Sequence, residues 1–426
     1  MIRSILILFL VISSLSGSAQ NDSIKNFLIE GEFRPRFEFR DGYRQLPTSD
    51  DLPAYFISSR ARLNFSYEKK RAAFHASIQD VRIWGQDGKE PSGGLGVFEA
   101  YARFKMGQQW WIKLGRQGVE LDNGRLFARA NWNQFSRAHD GIRLNHKTAK
   151  VRQSILLFYN QNNAALFGTD YSVNYYKYLA VHYFTYEPTE NWTLKTLNTW
   201  DGYQADGTTN TVYVRGTSGG RITYEKPKKW TITTAAYYQY GQVKSGQYVS
   251  AFYFQPEISG QFKKLKIRLG MEYSSGSNNT VIANQSRTFS TLYGVAFRFM
   301  GHLDYFTNLP NHTNQAGLIN PYLFFDYRFT KKWRVKLDFH AFMSENKVID
   351  TEGLVAAPYL GTEVDLTLNY AVNKETRLDF GFSAMQATSS MEILKGGNSN
   401  IIPVFSYLML TWKPTFFDAS KNKTAH

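Results

Sequence analysis

The 426-residue sequence contains no cysteine. That absence excludes a disulfide framework, a thiolate metal site, a cysteine nucleophile and a lipid-modified N-terminal cysteine. Proline is scarce, at 12 residues, so few positions interrupt extended backbone. Beyond residue 20 no apolar run approaches the ~20 residues that a membrane-crossing helix needs. The eight histidines are scattered at His75, His139, His146, His182, His302, His312, His340 and His426, and no HExxH, GxSxG or matching His–Ser spacing occurs. Zinc hydrolysis and serine catalysis therefore lack their residues, and the expectation is a protein that is no enzyme, with no metal and no cofactor. Asp201-Gly202, Asp206-Gly207 and Asn210 loosely resemble a calcium loop but lack its closing acidic residue, and they read as a hairpin loop.

What the chain has in quantity is aromatic side chains: 27 Tyr, 32 Phe and 9 Trp, or 16%. Mean hydropathy is nevertheless −0.40. An aromatic-rich yet polar composition suits strands with one face on lipid and the other on water. Basic residues outnumber acidic ones by 50 to 35, a formal net charge of +15. Such a surplus attracts nucleic acid, anionic headgroups or an acidic solute. Nucleic acid is not expected, because the basic residues fall on alternating strand faces instead of forming an exposed stripe.

Residues 1–19 read as a cleaved signal peptide: Arg3 gives the positive end, Ile5 to Ile12 the apolar run, and Gly17-Ser18-Ala19 the small residues before Gln20. The apolar run is too short to serve as a spanning anchor. Only Arg3 of the basic surplus leaves with this leader. The length of the remainder, 20–426, permits two soluble domains or one large barrel.

Alternation with period two decides between them. Glu30, Glu32, Arg34, Arg36 and Glu38 interleave with Gly31, Phe33, Pro35, Phe37 and Phe39. Leu265, Ile267, Leu269, Met271 and Tyr273 oppose Lys266, Arg268 and Glu272. Trp333, Val335, Leu337 and Phe339 oppose Arg334, Lys336, Asp338 and His340. Charges on a concealed soluble face would each incur a large desolvation cost, whereas a water-filled barrel hydrates them. Connections also alternate in length. Short polar turns (69–71, 107–109, 148–150, 187–191, 227–229, 263–264, 330–332, 373–375) are interspersed with long loops (41–52, 86–94, 118–136, 161–175, 202–211, 242–247, 275–317, 346–356, 388–401). The expected fold is all-β: a transmembrane antiparallel β-barrel of about 18 strands from about residue 27 to 412, with a short C-terminal tail. Trp110, Trp111, Trp192, Trp230, Trp333 and Trp412, at strand ends, suit an interfacial girdle.

The unusual segment runs from Leu114-Gly115-Arg116-Gln117 through Gly124-Arg125-Leu126, Arg129, Trp132 and Arg137 to Asp140-Gly141-Ile142-Arg143-Leu144. If its loop folds inward, guanidinium groups converge where they can bind carboxylates bidentately. If it stays outside, it is a solvated extracellular loop. Arg34, Arg36, Arg60, Arg62, Arg103, Lys105, Lys113 and Arg143 fall on the polar face of early strands and either line the pore or pair with acidic neighbours as a ladder bracing the wall.

These motifs, with Phe289 to Tyr293 and Gly301-His302-Leu303-Asp304, resemble the alginate-export family of outer-membrane barrels. His139 stands where that family often has Phe before Asp-Gly. The resemblance implies an 18-stranded barrel in the outer membrane of a Gram-negative bacterium, passing an anionic polysaccharide or oligosaccharide through a positively charged lumen. Both termini are then periplasmic, the surroundings are outer-membrane lipid, periplasmic export partners are compatible, and a monomer suffices. A general or weakly anion-selective porin for small solutes is the alternative.

Overall fold

In the computed structural model, the residues described are 26–420 except 87–93, 170–174, 206–210, 278–283, 350–352 and 354. The expected leader and residues 206–210 of the calcium-like loop lie outside the described residues. Eighteen antiparallel strands form the wall: β1 Asn26–Asp41, β2 Ala54–Glu68, β3 Ala72–Ile83, β4 Gly96–Lys105, β5 Trp110–Gln117, β6 His139–Lys147, β7 Val151–Tyr159, β8 Tyr178–Tyr186 and β9 Trp192–Gln204. The second half comprises β10 Val212–Lys226, β11 Trp230–Gly241, β12 Ala251–Phe262, β13 Leu265–Ser274, β14 Leu318–Arg328, β15 Trp333–Met343, β16 Tyr359–Ala371, β17 Thr376–Ala387 and β18 Val404–Trp412.

Each strand pairs with its sequence neighbour, and β18 closes on β1 with Phe33 opposite Trp412 and Asp41 opposite Val404. Thr415–Asp418 extends the seam along Leu28–Glu30. Closure leaves no unpaired edge, the condition for strands to cross a membrane. Asn26 lies opposite Glu68, so the chain enters and leaves the barrel at the end carrying the short turns.

The alternation sorts the faces as the sequence reading expected. Arg34 is 4% exposed while its neighbour Phe33 is 39% exposed, because the odd positions of β1 meet the surroundings and the even ones meet the interior. Leu63, Ile142, Ile222, Ile258, Leu269 and Leu408 continue the apolar outer belt. Below it Trp110 packs on His146, Trp192 and Trp230 flank Tyr224, and Trp333 stacks on Tyr370. Trp111 departs from the girdle expected for it: it faces inward, beneath the guanidinium groups of Arg103 and Arg143.

Candidate functional site

The lumen is not an open tube, because two long loops fold into it. The β5–β6 loop and the β13–β14 loop cross each other inside the wall. Ala128 N donates to Tyr293 O at 3.1 Å and Tyr293 N to Leu126 O at 2.9 Å. At the crossing, a Cβ on Gly294 would lie 1.8 Å from Arg125 O, so only glycine permits the approach.

Apolar packing holds these loops on two sides. Val119, Leu121, Leu126, Phe127, Phe289 and Tyr293 meet inward residues of β7, β8, β9, β11 and β12, among them Leu156, Phe158, Val181, Leu197 and Tyr253. Phe299, Met300, Leu303, Phe306 and Leu309 meet Leu318, Phe342, Leu360, Phe405 and Met409 on the opposite wall. Leu46, from the β1–β2 loop, and Met391, from the short helix Ser389–Lys395, complete this second cluster. Polar contacts fix the register. Leu303 N donates to Glu363 at 2.8 Å and His302 N to Asp365 at 3.3 Å, while Tyr43 Oη and Arg44 both donate to Asp304. Burial and the neighbouring Asp304 carboxylate push the Tyr43 phenol well above its usual range.

The arginines of β1 and β2 serve the plug. Arg34 donates to Asn131 O at 2.6 Å, Asn133 O at 3.1 Å and Gln134 Oε1 at 2.8 Å. Arg36 reaches Trp132 O at 2.8 Å and Glu38. Arg60 binds Glu32, Gln134 O at 3.1 Å and Ser136 Oγ at 2.9 Å, and Arg62 binds Gln79. Backbone carbonyls of the loop accept from Arg34, Arg36 and Arg60, and Ser136 Oγ accepts from Arg62 at 3.3 Å, so four guanidinium groups expected to line the pore are buried as loop anchors. Three arginines of the loop itself are likewise engaged: Arg125 with Glu272 at 2.9 Å, Arg129 with Glu99, and Arg137 with the carbonyls of Tyr293 and Gly294.

Arg116 is placed differently from the pore lining expected of it. It pairs with Asp140 at 2.6 Å on the outward face, beside Leu114 and across from the strand carrying Ile142. A bulge in the β3–β4 pairing and the long loop after Gln117 make this strand end hard to phase by alternation alone. Arg103, Lys113 and Arg143, by contrast, stand in one inward row: Arg103 is directly opposite Lys113, and Lys113 directly opposite Arg143. Like charges at directly opposed positions repel. Glu68 pairs with Arg103, the Tyr101 ring lies 3.9 Å from Lys113 Nζ, and Arg143 donates to Asn145 and Ser154. Lys105 is exposed at the end of β4, next to the short turn.

A cavity of about 820 Å³ lies between the plug and the short-turn end, against β10 and β12 to β15. Nine basic side chains line it (Arg221, Lys263, Lys264, Lys266, Arg268, Arg298, Arg328, Arg334 and Lys336) against three acidic ones (Glu257, Asp326 and Asp338). A second cavity of about 320 Å³ shares Arg268, Arg298, Phe324, Arg334, Lys336 and Asp338, and continues to His302, Asp365, Arg377 and Tyr407. The Lys266/Arg268 and Arg334/Lys336 alternation is legible in the sequence, but nothing local marks it as a site. The usable signal was that both patterns put cations two residues apart on the strands flanking β14, and Asp326 and Glu257 neutralise only part of them: Arg268 bonds Glu257 at 2.6 Å, and Arg334 bonds Asp326. Among the described residues, no group of three or more His, Asp or Glu side chains could hold a metal ion.

A model of the family described as alginate export matches residues 28–391. Among solved structures, OccK5 (OpdH) of Pseudomonas aeruginosa superposes with a TM-score of 0.63 at 11% identity, covering 92% of this chain and 99% of that one. OccAB1 of Acinetobacter baumannii gives 0.65 at 11% identity, with coverage of 94% and 100%. At such identities the likeness is one of fold. No curated protein matches this chain.

Proposed function

The chain belongs to the alginate export family and is a channel of the outer membrane, not an enzyme; from that premise we propose that its solute is an anionic carbohydrate, drawn through the lumen by basic side chains. The observation that carries the proposal is the nine-to-three excess of cationic over acidic groups around the 820 Å³ cavity. A cleft of one sign with low-dielectric walls concentrates counter-charged solutes and speeds their capture. Release requires that no single site bind too tightly, and several weak cationic positions in series meet that need. The opposed row Arg103, Lys113 and Arg143 extends the cationic surface around the wall.

The size of the space bears on the second reading. Cavities of about 300–1,000 Å³ accommodate a drug-sized molecule, so the plugged lumen fits a sugar acid or short oligomer better than a free polymer. That favours passage of acidic mono- or oligosaccharides, with a polymer requiring displacement of the loops. A general anion-selective porin for small solutes is the same device without the carbohydrate preference. We assign the leader at 1–19, periplasmic termini, a monomeric barrel and any periplasmic export partner to this same reading.

Reversal potential under a salt gradient across a planar bilayer tests it. The refolded wild-type barrel is expected to prefer chloride over potassium, and neutralising Arg268, Arg298 and Lys336 together is expected to reduce that preference at least twofold. Cation preference, or indifference to the three substitutions, contradicts the reading.

A further inference from the structure

The like-charged pair Lys195 on β9 and Arg221 on β10 stands at directly opposed cross-strand positions, both turned inward. Such an arrangement is repulsive unless an anion lies between the two. The chain itself provides one. Asp122, in the β5–β6 loop, accepts from Lys195 Nζ at 2.9 Å through Oδ1 and from Arg221 Nε at 2.6 Å through Oδ2. Gln255 Oε1 accepts from Arg221 Nη2 at 3.2 Å and holds the guanidinium with its Nε edge toward the loop. Asp122 adopts a left-handed backbone, φ +54°, a conformation that Asp tolerates better than most residues.

Arg221 is reachable from the lumen, and the inward Lys195 side chain keeps 26% of its surface exposed. Arg221 and Asn123, the residue after Asp122, both line the 820 Å³ cavity. We propose that Lys195 and Arg221 form a carboxylate-binding site for the solute, held in this structure by the chain's own Asp122 and yielded when a sugar carboxylate displaces it. The inference rests on the anionic-carbohydrate reading above. Exchange replaces one carboxylate by another at the same two donors, so no charge is left unpaired on the wall and the swap is close to balanced. The tethered Asp122 competes at an effective concentration on the order of millimolar. A single uronate competes weakly against that, and an oligouronate, with further carboxylates for Arg268, Arg298 and Lys336, competes better. Displacement also releases the loop segment that carries Glu120, which pairs with Arg298 at 3.1 Å, so entry of the solute loosens the plug from the cavity side.

The test is single-channel block of the refolded barrel by galacturonate and trigalacturonate, with neutral galactose oligomers of equal length as controls. Asp122→Asn removes the competitor while nearly preserving its shape. It is expected to lower the half-blocking uronate concentration about tenfold and leave the neutral sugars unchanged, and adding Arg221→Gln is expected to abolish the gain. Lys195→Met keeps Asp122 and its loop in place through Arg221 and should weaken uronate block about threefold, which tests the site even if Asp122→Asn refolds poorly. An unchanged half-block in Asp122→Asn, or equal gains for acidic and neutral sugars, overturns this site while wild-type anion selectivity leaves the broader reading standing. A wild-type channel neither anion-selective nor blocked by uronates overturns both.

Discussion

Arg60 shows what a lumen arginine does here. With no exposure of its side chain, it joins Glu32 to the loop carbonyls of residues 133 and 134. Removing one partner of a buried pair leaves the other charge uncompensated, at about 3–5 kcal/mol. Lys413 Nζ, 3.4 Å from Glu32, shares that charge, so Arg60→Ala is expected to cost about 3 kcal/mol, read as a shift in the urea unfolding midpoint of the barrel in lipid vesicles. Arg116→Ala breaks a pair that is largely exposed on both sides and is expected to cost under about 1 kcal/mol with anion selectivity unchanged. Lys395 gives a pH signature. Burial lowers its ammonium from 10.5 to about 8, so between those values the unfolded chain holds a proton the folded chain has released. Stability therefore rises with pH across that window. The melting temperature of wild type is expected to gain on that of Lys395→Met between pH 8 and 10, and a constant difference contradicts it.

At the scale of elements, the strands were legible and the plug only partly so. Most strands carry their own alternation, and each short turn its own polar cluster, so the 18-strand wall follows largely from local pattern. Partners of the inward arginines are not local: Arg34 and Asn131 lie 97 residues apart, and nothing at either position names the other. A trace was present in β7 and β8, where Ile155-Leu156-Leu157-Phe158 and Leu179-Ala180-Val181 run apolar without alternating. Continuous apolar runs mean that both faces are covered, here by lipid outside and by the plug inside. The late-strand cations lay in plain alternation, but their convergence on one cavity depends on which wall the loops leave clear. Deleting the β5–β6 loop between Gly118 and Ala138 is therefore expected to leave a barrel that still assembles, raise conductance severalfold and end selective block by uronates. Unaltered conductance would show that this loop does not restrict the lumen.

For the whole molecule, closure of the sheet fixes shape while the loops fix permeability. The described chain enters the wall at Asn26 and leaves it after Trp412 at the end carrying the short turns, so the orientation proposed here places the long loops outside the cell. The absence of cysteine makes that orientation directly readable. A single cysteine at Ala164 or Asn398, both in long loops, is expected to react with an impermeant maleimide on intact cells, and one at Lys228, in a short turn, only after the outer membrane is permeabilised; the reverse pattern contradicts the orientation.

The function of this barrel turns on whether the basic lumen selects acidic sugars. The most direct measurement is single-channel block of the wild-type barrel by oligouronates of increasing length beside neutral oligomers of the same lengths. Block by the uronates alone is expected, strengthening with each added residue until the chain fills the cavity and weakening as salt is raised, since the attraction is screened. Equal block by neutral and acidic oligomers, or none by either, would contradict it.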